Sequence, residues 1–280
     1  MKAPRFITPA SAALLQSMQL SVALGSTVDK FSKSMRVCML LVPFLMLALW
    51  TNPVYSLTES KFPAGSNAKD HDFFGSKVAT SGDFAVVGAP AGNPYDAKVY
   101  LYKKTQSGWI EQANFTLPNP ANDALHFGES VAIDGTYAIV GASAYDGYGK
   151  SKAFIYHYDG SNWVLEQIIE PSNNFGEVFD NRFGQSVSIS SDLAIVGATN
   201  RAYIFKRNAT GWSEQAPFLT SGNNPSRGFG YAVSISENYA IVGENDALAP
   251  VVTPATTHIF FFDGVSWTNA GRPRIEFLLD

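Results

Sequence analysis

The fifteen residues Phe127–Gly141 read FGESVAIDGTYAIVG, and their pattern returns three more times along the chain. Phe-Gly pairs stand at Phe74-Gly75, Phe127-Gly128, Phe183-Gly184 and Phe229-Gly230, at intervals of 53, 56 and 46 residues. Fourteen residues after each Phe comes a glycine that ends an apolar run: Gly88, Gly141, Gly197 and Gly243. A period of about fifty residues means one structural unit copied and packed beside itself. In such arrays the repeated residues hold the scaffold, and loops of variable length carry binding.

Each copy holds four apolar segments. The first follows the Phe-Gly pair and ends in a turn signal, such as Ser81-Gly82-Asp83, Asp134-Gly135, Ser190-Ser191-Asp192 or Ser236-Glu237-Asn238. Short apolar runs around residues that tolerate positive φ predict tight hairpins. The second segment is Phe84–Gly88, Tyr137–Gly141, Leu193–Gly197 or Tyr239–Gly243. It is apolar at every position, as a strand covered on both faces must be. An Ala fills the same slot each time (Ala85, Ala138, Ala194, Ala240), which predicts crowding from a neighbouring unit. The third segment alternates aromatics: Tyr100 and Tyr102, Phe154 and Tyr156, Tyr203 and Phe205, Phe260 and Phe262. A spacing of two places each pair on one strand face. The fourth opens on Trp109, Trp163, Trp212 or Trp267, and the first three continue into Glu111-Gln112, Glu166-Gln167 and Glu214-Gln215.

Four short strands per fifty residues, with glycine turns and aromatics in register, predict an all-β fold built as β-propeller blades. The repeats lie near residues 70–117, 123–170, 179–220 and 225–270. Tyr55–Phe62 and Ile275–Leu279 are candidates for additional strands. A closed ring of four blades, an open arc of a longer array and a ring completed by association all remain open at this point.

These residues resemble the FG-GAP repeat family, whose repeats also build the propellers of integrin α-subunits. The closest likeness is the short form, F-G-x-S-V-x-I-S-x-x-x-A-I-V-G-A, and it covers roughly residues 70–270. The first repeat keeps Gly88-Ala89-Pro90, while later ones drift to Gly141-Ala142-Ser143, Gly197-Ala198-Thr199 and Gly243-Glu244-Asn245. The resemblance implies a secreted or surface protein, and integrin rings have seven blades. The integrin version often carries a calcium loop between the two glycine motifs. Calcium takes six to eight oxygen ligands, whereas here the interval holds a tight hairpin. Asp83, Asp134 and Asp192 are single carboxylates and read as turn formers, so no calcium and no other cofactor is expected.

Residues 57–280 carry 15 Lys and Arg against 23 Asp and Glu, a net charge of −8, with no basic stripe. Nucleic acid is therefore not an expected partner. The single cysteine, Cys38, precedes the repeats, which then contain no disulfide. Residues 1–34 read as a disordered upstream extension and 35–56 as a signal peptide. Its core, Val37–Trp50, is fourteen residues long and follows Lys30, Lys33 and Arg36. A span needs about twenty, so a membrane anchor at 37–50 is the rival reading, with an organelle transit peptide behind it. The repeat region is then residues 57–280. Asn114-Phe115-Thr116 and Asn208-Ala209-Thr210 are glycosylation acceptor triplets, and they agree with an extracytoplasmic surface.

No nucleophile elbow, phosphate loop or catalytic carboxylate pair stands out, and an enzyme is not expected. His71, His126, His157 and His258 form no ligand pattern. Asp70-His71-Asp72 reads as a solvated loop. Ser76, Ser130 and Ser186 read as one recurring structural position. The informative variation lies after the second strand, in Ala89–Ala97, Ala142–Ser151, Ala198–Asn200 and Glu244–Thr257. Two of these loops set a Tyr beside an Asp: Tyr95-Asp96, and Tyr145-Asp146 with Tyr148 and Lys150 nearby. Exposed Tyr with polar neighbours suits protein interfaces and sugar stacking. Tyr95, Asp96, Tyr145, Asp146 and Tyr148 are therefore the candidate ligand contacts. The expected function is a secreted or cell-surface, non-enzymatic binding or adhesion module for an extracellular protein or glycan. The alternatives are the non-catalytic propeller of a secreted hydrolase and a structural surface protein.

Overall fold

The structure is a computed structural model that describes residues 65–91, 96–118, 125–144, 150–172, 182–220, 228–244 and 257–270. The chain divides into two compact units, Met1–Glu59 and Ser60–Asp280, and all described residues lie in the second. The leader at 35–56, Tyr55–Phe62 and Ile275–Leu279 lie outside the described residues.

Each repeat forms one four-stranded antiparallel sheet whose strands follow chain order. Repeat one comprises β1 (Lys77–Ser81), β2 (Phe84–Ala89), β3 (Lys98–Thr105) and β4 (Gly108–Thr116). Repeat two comprises β5 (Leu125–Asp134), β6 (Tyr137–Ala144), β7 (Lys152–Tyr158) and β8 (Trp163–Ile169). Repeat three comprises β9 (Ser186–Ser190), β10 (Leu193–Ala198), β11 (Arg201–Asn208) and β12 (Gly211–Leu219). Repeat four comprises β13 (Phe229–Ser236), β14 (Tyr239–Glu244), β15 (Thr257–Phe262) and β16 (Trp267–Asn269). No α-helix occurs among the described residues.

Every first hairpin closes on two residues, and the leading one takes positive φ: Gly82 (55°), Gly135 (54°), Ser191 (55°) and Glu237 (49°). This geometry matches the right-handed strand twist. In repeats three and four a side-chain-bearing residue takes a conformation that glycine accepts more readily.

The register corrects one reading. Ser130 faces Gly141 across the hairpin and Ser186 faces Gly197, but the matching position in repeat one is Lys77, opposite Gly88, and in repeat four Ala232, opposite Gly243. Ser76 sits one residue earlier. It is not part of that recurring position, because the serines of repeats two and three stand one residue farther from their Phe-Gly pairs. The loops also start later than the sequence suggests. Ala142–Ala144 continue β6, and Ala198 ends β10.

The core lies between successive sheets. Val86, Val99 and Leu101 of repeat one pack with Phe127, Ala138, Val140, Phe154 and Tyr156 of repeat two. Ile139 and Ile155 then meet Phe183, Ala194, Val196, Tyr203 and Phe205, and Ile195 and Ile204 meet Phe229, Ala240, Val242 and Phe260. The recurring Ala faces the preceding repeat in each of these junctions, so the expected crowding is borne out. The series stops at repeat four: Ile139 and Ile195 are 0% exposed, but their counterpart Ile241 is 42% exposed.

A backbone contact repeats with the core. A side-chain carbon placed on Gly88, Gly141 or Gly197 collides with the carbonyl oxygen of Gly128, Gly184 or Gly230 in the next repeat. Ser130 Oγ donates to Gly184 O at 2.6 Å and Ser186 Oγ to Gly230 O at 2.9 Å. At Gly243 the nearest atom to such a carbon is Ala232 Cβ of its own repeat, at 3.5 Å.

The Glu-Gln motifs are clamps between segments. Gln167 brackets the next repeat's Trp212, donating to its carbonyl at 2.8 Å and accepting from its amide at 2.7 Å, while Trp212 Nε1 donates to Glu166 at 3.1 Å. Glu111 and Glu214 each accept from the amide and hydroxyl of a serine in the preceding linker, Ser66 and Ser172. Asp134 is more than a turn former. Its carboxylate accepts from Ser81 Oγ of repeat one at 3.4 Å and from Ser191 N of repeat three at 2.7 Å, joining three hairpins.

Candidate functional site

The glycine of each Phe-Gly pair has positive φ, between 82° and 94°. Its Phe turns into the junction core, and Phe127, Phe183 and Phe229 are fully buried. The chain then reverses its side-chain direction, and the residue after the pair faces away from that core. Those four residues are Ser76, Glu129, Gln185 and Tyr231, one from each repeat, and all four line a single cavity of about 400 Å³. Among the described residues, Phe73, Lys77, Pro90, Ser143 and Arg182 also line it.

Among the described residues, Glu129 is the carboxyl group lining this cavity. Its Oε1 accepts from Ser143 N at 2.9 Å. Burial pushes its pKa above the ordinary carboxylate value, opposed by hydrogen bonding from Ser143 and the charges of His126 and Arg182. A folded-state pKa above the unfolded one means that the ionised form weakens folding. The penalty applies fully above the raised pKa and vanishes once pH falls below the ordinary carboxylate value. Glu129→Gln is therefore expected to melt at a higher temperature than the parent at neutral pH. The gap should close on acidification, and calorimetric melts across that pH range check it.

The cavity escaped the sequence reading because its four main residues share no chemistry. The sequence-predicted contacts lie close to it in chain terms. The loop containing Tyr95 and Asp96 leaves β2 at Pro90, and the loop containing Tyr145, Asp146 and Tyr148 leaves β6 just after Ser143. Asp96 forms a surface ion pair with Lys69 at 3.3 Å. Tyr95, Tyr145, Asp146 and Tyr148 lie outside the described residues.

The Asp70-His71-Asp72 trio is corrected at one residue: Asp70 and His71 are exposed as a solvated loop should be. Asp72 is buried, not solvated, and pairs with Lys98 at 3.4 Å while accepting from Lys69 N at 2.6 Å. Removing one partner of a buried pair leaves an uncompensated charge, so this contact fixes the entry to β1. A second buried contact, His258 to Glu244 at 3.1 Å, crosses β14 and β15. His157 stacks on Tyr137 with ring centroids 4.4 Å apart. No group of three or more His, Cys, Asp or Glu side chains with metal-binding geometry occurs among the described residues.

A family model described as FG-GAP repeat matches residues 58–102 and 109–156. No curated protein matches the chain. Among solved structures, a DUF4623 family protein from Bacteroides eggerthii aligns at a TM-score of 0.44 and 12% identity, over 74% of this chain and 47% of that one. A mutant Aleuria aurantia lectin in complex with α-methyl-L-fucoside aligns at a TM-score of 0.42 and 12% identity, over 68% of this chain and 55% of that one. This chain spans about half the length of these two proteins.

Proposed function

This chain is an FG-GAP repeat protein, and on that premise we propose that it is a secreted or cell-surface, non-enzymatic binding module. Its four sheets act as blades of a β-propeller about the cavity axis. It takes an extracellular protein or glycan on the face formed by the cavity and the loops after the second strands. One observation carries this reading. The scaffold positions recur from repeat to repeat, yet the position after each Phe-Gly pair, which all four repeats bring to the cavity, holds four chemically different residues, Ser76, Glu129, Gln185 and Tyr231. A repeated scaffold with a diversified surface is how arrays create a specific site.

Glycan arrays and displayed surface proteins, probed with residues 57–280, test the reading. A ligand captured by the parent should be lost or weakened by at least ~1 kcal/mol in Tyr231→Ala, or in the Tyr145→Ala, Tyr148→Ala double variant. A ligand bound equally by all three proteins would move the site off this face. Capture should persist in a chelator, since no calcium is invoked.

Secretion has its own test. Asn208 is exposed in the β11–β12 turn, with Thr210 Oγ1 donating to its Oδ1 at 2.7 Å. Asn114 is half-buried, and its Nδ2 donates to Glu111 at 2.9 Å and Ser66 at 3.3 Å. In secreted protein, Asn208 is expected to carry glycan at higher occupancy than Asn114, measured by glycopeptide mass spectrometry. An N-terminus near Leu57 would accompany it. Two unmodified sites on a chain retaining Val37–Trp50 would contradict secretion.

A further inference from the structure

We propose that the strap Gly65–Asp72 guards Asn114, so that docking of the strap on repeat one and attachment of a glycan to Asn114 exclude each other. This rests on the secreted reading and adds a modification-controlled contact to it. The strap is held to repeat one at two points. At the first, Ser66 N and Ser66 Oγ both donate to the Glu111 carboxylate at 2.8 Å. At the second, Lys98 Nζ donates to Asn67 O at 3.3 Å and pairs with Asp72 at 3.4 Å. Gly65 is buried, and a side-chain carbon placed on it would fall on the Tyr100 ring. The strap therefore lies on the leading side of repeat one.

Asn114 stands opposite Tyr100 in the β3–β4 ladder. Its Nδ2 is the atom that glycosylation modifies, and both hydrogens of that nitrogen are engaged. Nδ2 donates to Glu111 Oε1 at 2.9 Å and to Ser66 Oγ at 3.3 Å, while Oδ1 accepts from Asn67 Nδ2 at 3.3 Å. An ionised carboxylate only accepts, so the amide cannot turn its oxygen toward Glu111. Glycosylation joins Nδ2 to the anomeric carbon of a lipid-linked oligosaccharide diphosphate. The lipid diphosphate leaves, and Nδ2 gives up one proton. The first sugar then lies along one of the two N–H directions, where Glu111 or Ser66 sits. A glycan is added only while the strap is undocked, and it keeps the strap off afterwards. Asn208 is exposed, and its Nδ2 donates to Ser213 Oγ at 3.1 Å within its own hairpin, so it serves as the internal control.

The test secretes residues 57–280, which contain the compact unit Ser60–Asp280, from a eukaryotic host behind a signal peptide of proven function. The full chain with its own leader runs alongside. Glycopeptide mass spectrometry reads occupancy at both asparagines. Hydrogen exchange of the glycoforms reads the Ala68 amide, which donates to Gly65 O at 2.9 Å in the docked strap. Ala68 is expected to exchange at least about tenfold faster in molecules glycosylated at Asn114 than in those without that glycan. Glu111→Ala removes one anchor and should raise Asn114 occupancy severalfold while Asn208 stays unchanged. Ser66→Ala takes its place if Glu111→Ala is not secreted. Thr116→Ala abolishes the acceptor triplet but leaves the Asn114 hydrogen bonds in place, so its Ala68 exchange should match the unglycosylated parent. Equal exchange in the two glycoforms would overturn the exclusion, and so would unchanged Asn114 occupancy in the strap variants. Asn208 modified behind the proven signal but not behind the chain's own leader would overturn the secreted reading and leave the strap's role standing.

Discussion

Gly141→Ala is expected to destabilise the protein by about 2–4 kcal/mol, while Gly243→Ala, at the same repeat position, changes stability by no more than about 0.5 kcal/mol. Neither glycine lies in the left-handed region of φ, so Ala is compatible with both backbones. The difference is what the added methyl meets. At Gly141 it runs into the Gly184 carbonyl and Ser130 Oγ, with Gly184 C only 2.9 Å away. Backbone of a packed neighbouring sheet cannot swing aside as a flexible side chain can. Overpacking of this kind typically costs ~1–3 kcal/mol, and parting the sheets also breaks the Ser130–Gly184 bond, worth about 1 kcal/mol. At Gly243 the methyl meets nothing closer than 3.5 Å. Thermal and urea unfolding of residues 57–280 measure both variants. Equal losses at the two positions would refute the junction as the source of the effect.

Phe183→Ala is expected to cost about 3–5 kcal/mol. Phe183 is 0% exposed and meets Tyr203 and Phe205 edge-on, with centroids 5.4 and 6.1 Å away. It belongs to the cluster that contains Ile139 and Ile155 of the preceding repeat. Truncation leaves a hole between two sheets that are held apart by their own backbone contacts, so collapse fills little of it. A domain is stable by only ~5–15 kcal/mol, and one such loss takes a large share. Phe73→Ala is the contrast. The residue is mostly in water, and its loss should change stability by about 0.5 kcal/mol or less. Denaturant midpoints compare the two directly. A Phe183→Ala midpoint as close to the parent's as that of Phe73→Ala would refute the packing account.

The sheets were legible in the sequence because their determinants are local. A turn that accepts positive φ, an apolar run and an aromatic pair two residues apart each declare themselves within a few positions. Ala138 even betrayed its neighbour, because only crowding explains a small residue in an otherwise bulky strand. Roles that depend on a second segment did not declare themselves. Glu166-Gln167 was visible as a motif, but its partner, Trp212, lies 45 or 46 residues on. Asp72 reads as loop until Lys98, 26 residues later, is folded over it. The one-residue slip at Ser76 arose because serines follow the Phe-Gly pairs at two different offsets, and only strand pairing shows which one faces the glycine. The cavity was hidden for the opposite reason from the strands. Its signal is disagreement among repeats at one column, beside columns that agree. Aligning the four copies and asking where they differ just after an invariant glycine would have found Glu129 and Tyr231.

The bare flank of the fourth repeat gives the array a direction. Each inner repeat is coupled to two neighbours, and the stability of such a stack is a sum of intrinsic and nearest-neighbour terms. Among the described residues, repeat four packs through one face, and Tyr239 and Ile241 on the other are left largely in water. Repeat one, by contrast, buries Ala85, Tyr100 and Tyr102 on its leading side. Opening is therefore expected to start at the β13–β16 sheet and travel toward lower residue numbers, like a zip with one loose tab. Amide protection against solvent exchange would fall along the same gradient. The cavity is the first casualty of that motion, because Tyr231 rides on the loose sheet while Ser76, Glu129 and Gln185 stay with the firm ones. Any molecule gripped between Tyr231 and the other three then acts as a clasp, holding the last repeat closed for as long as it stays bound.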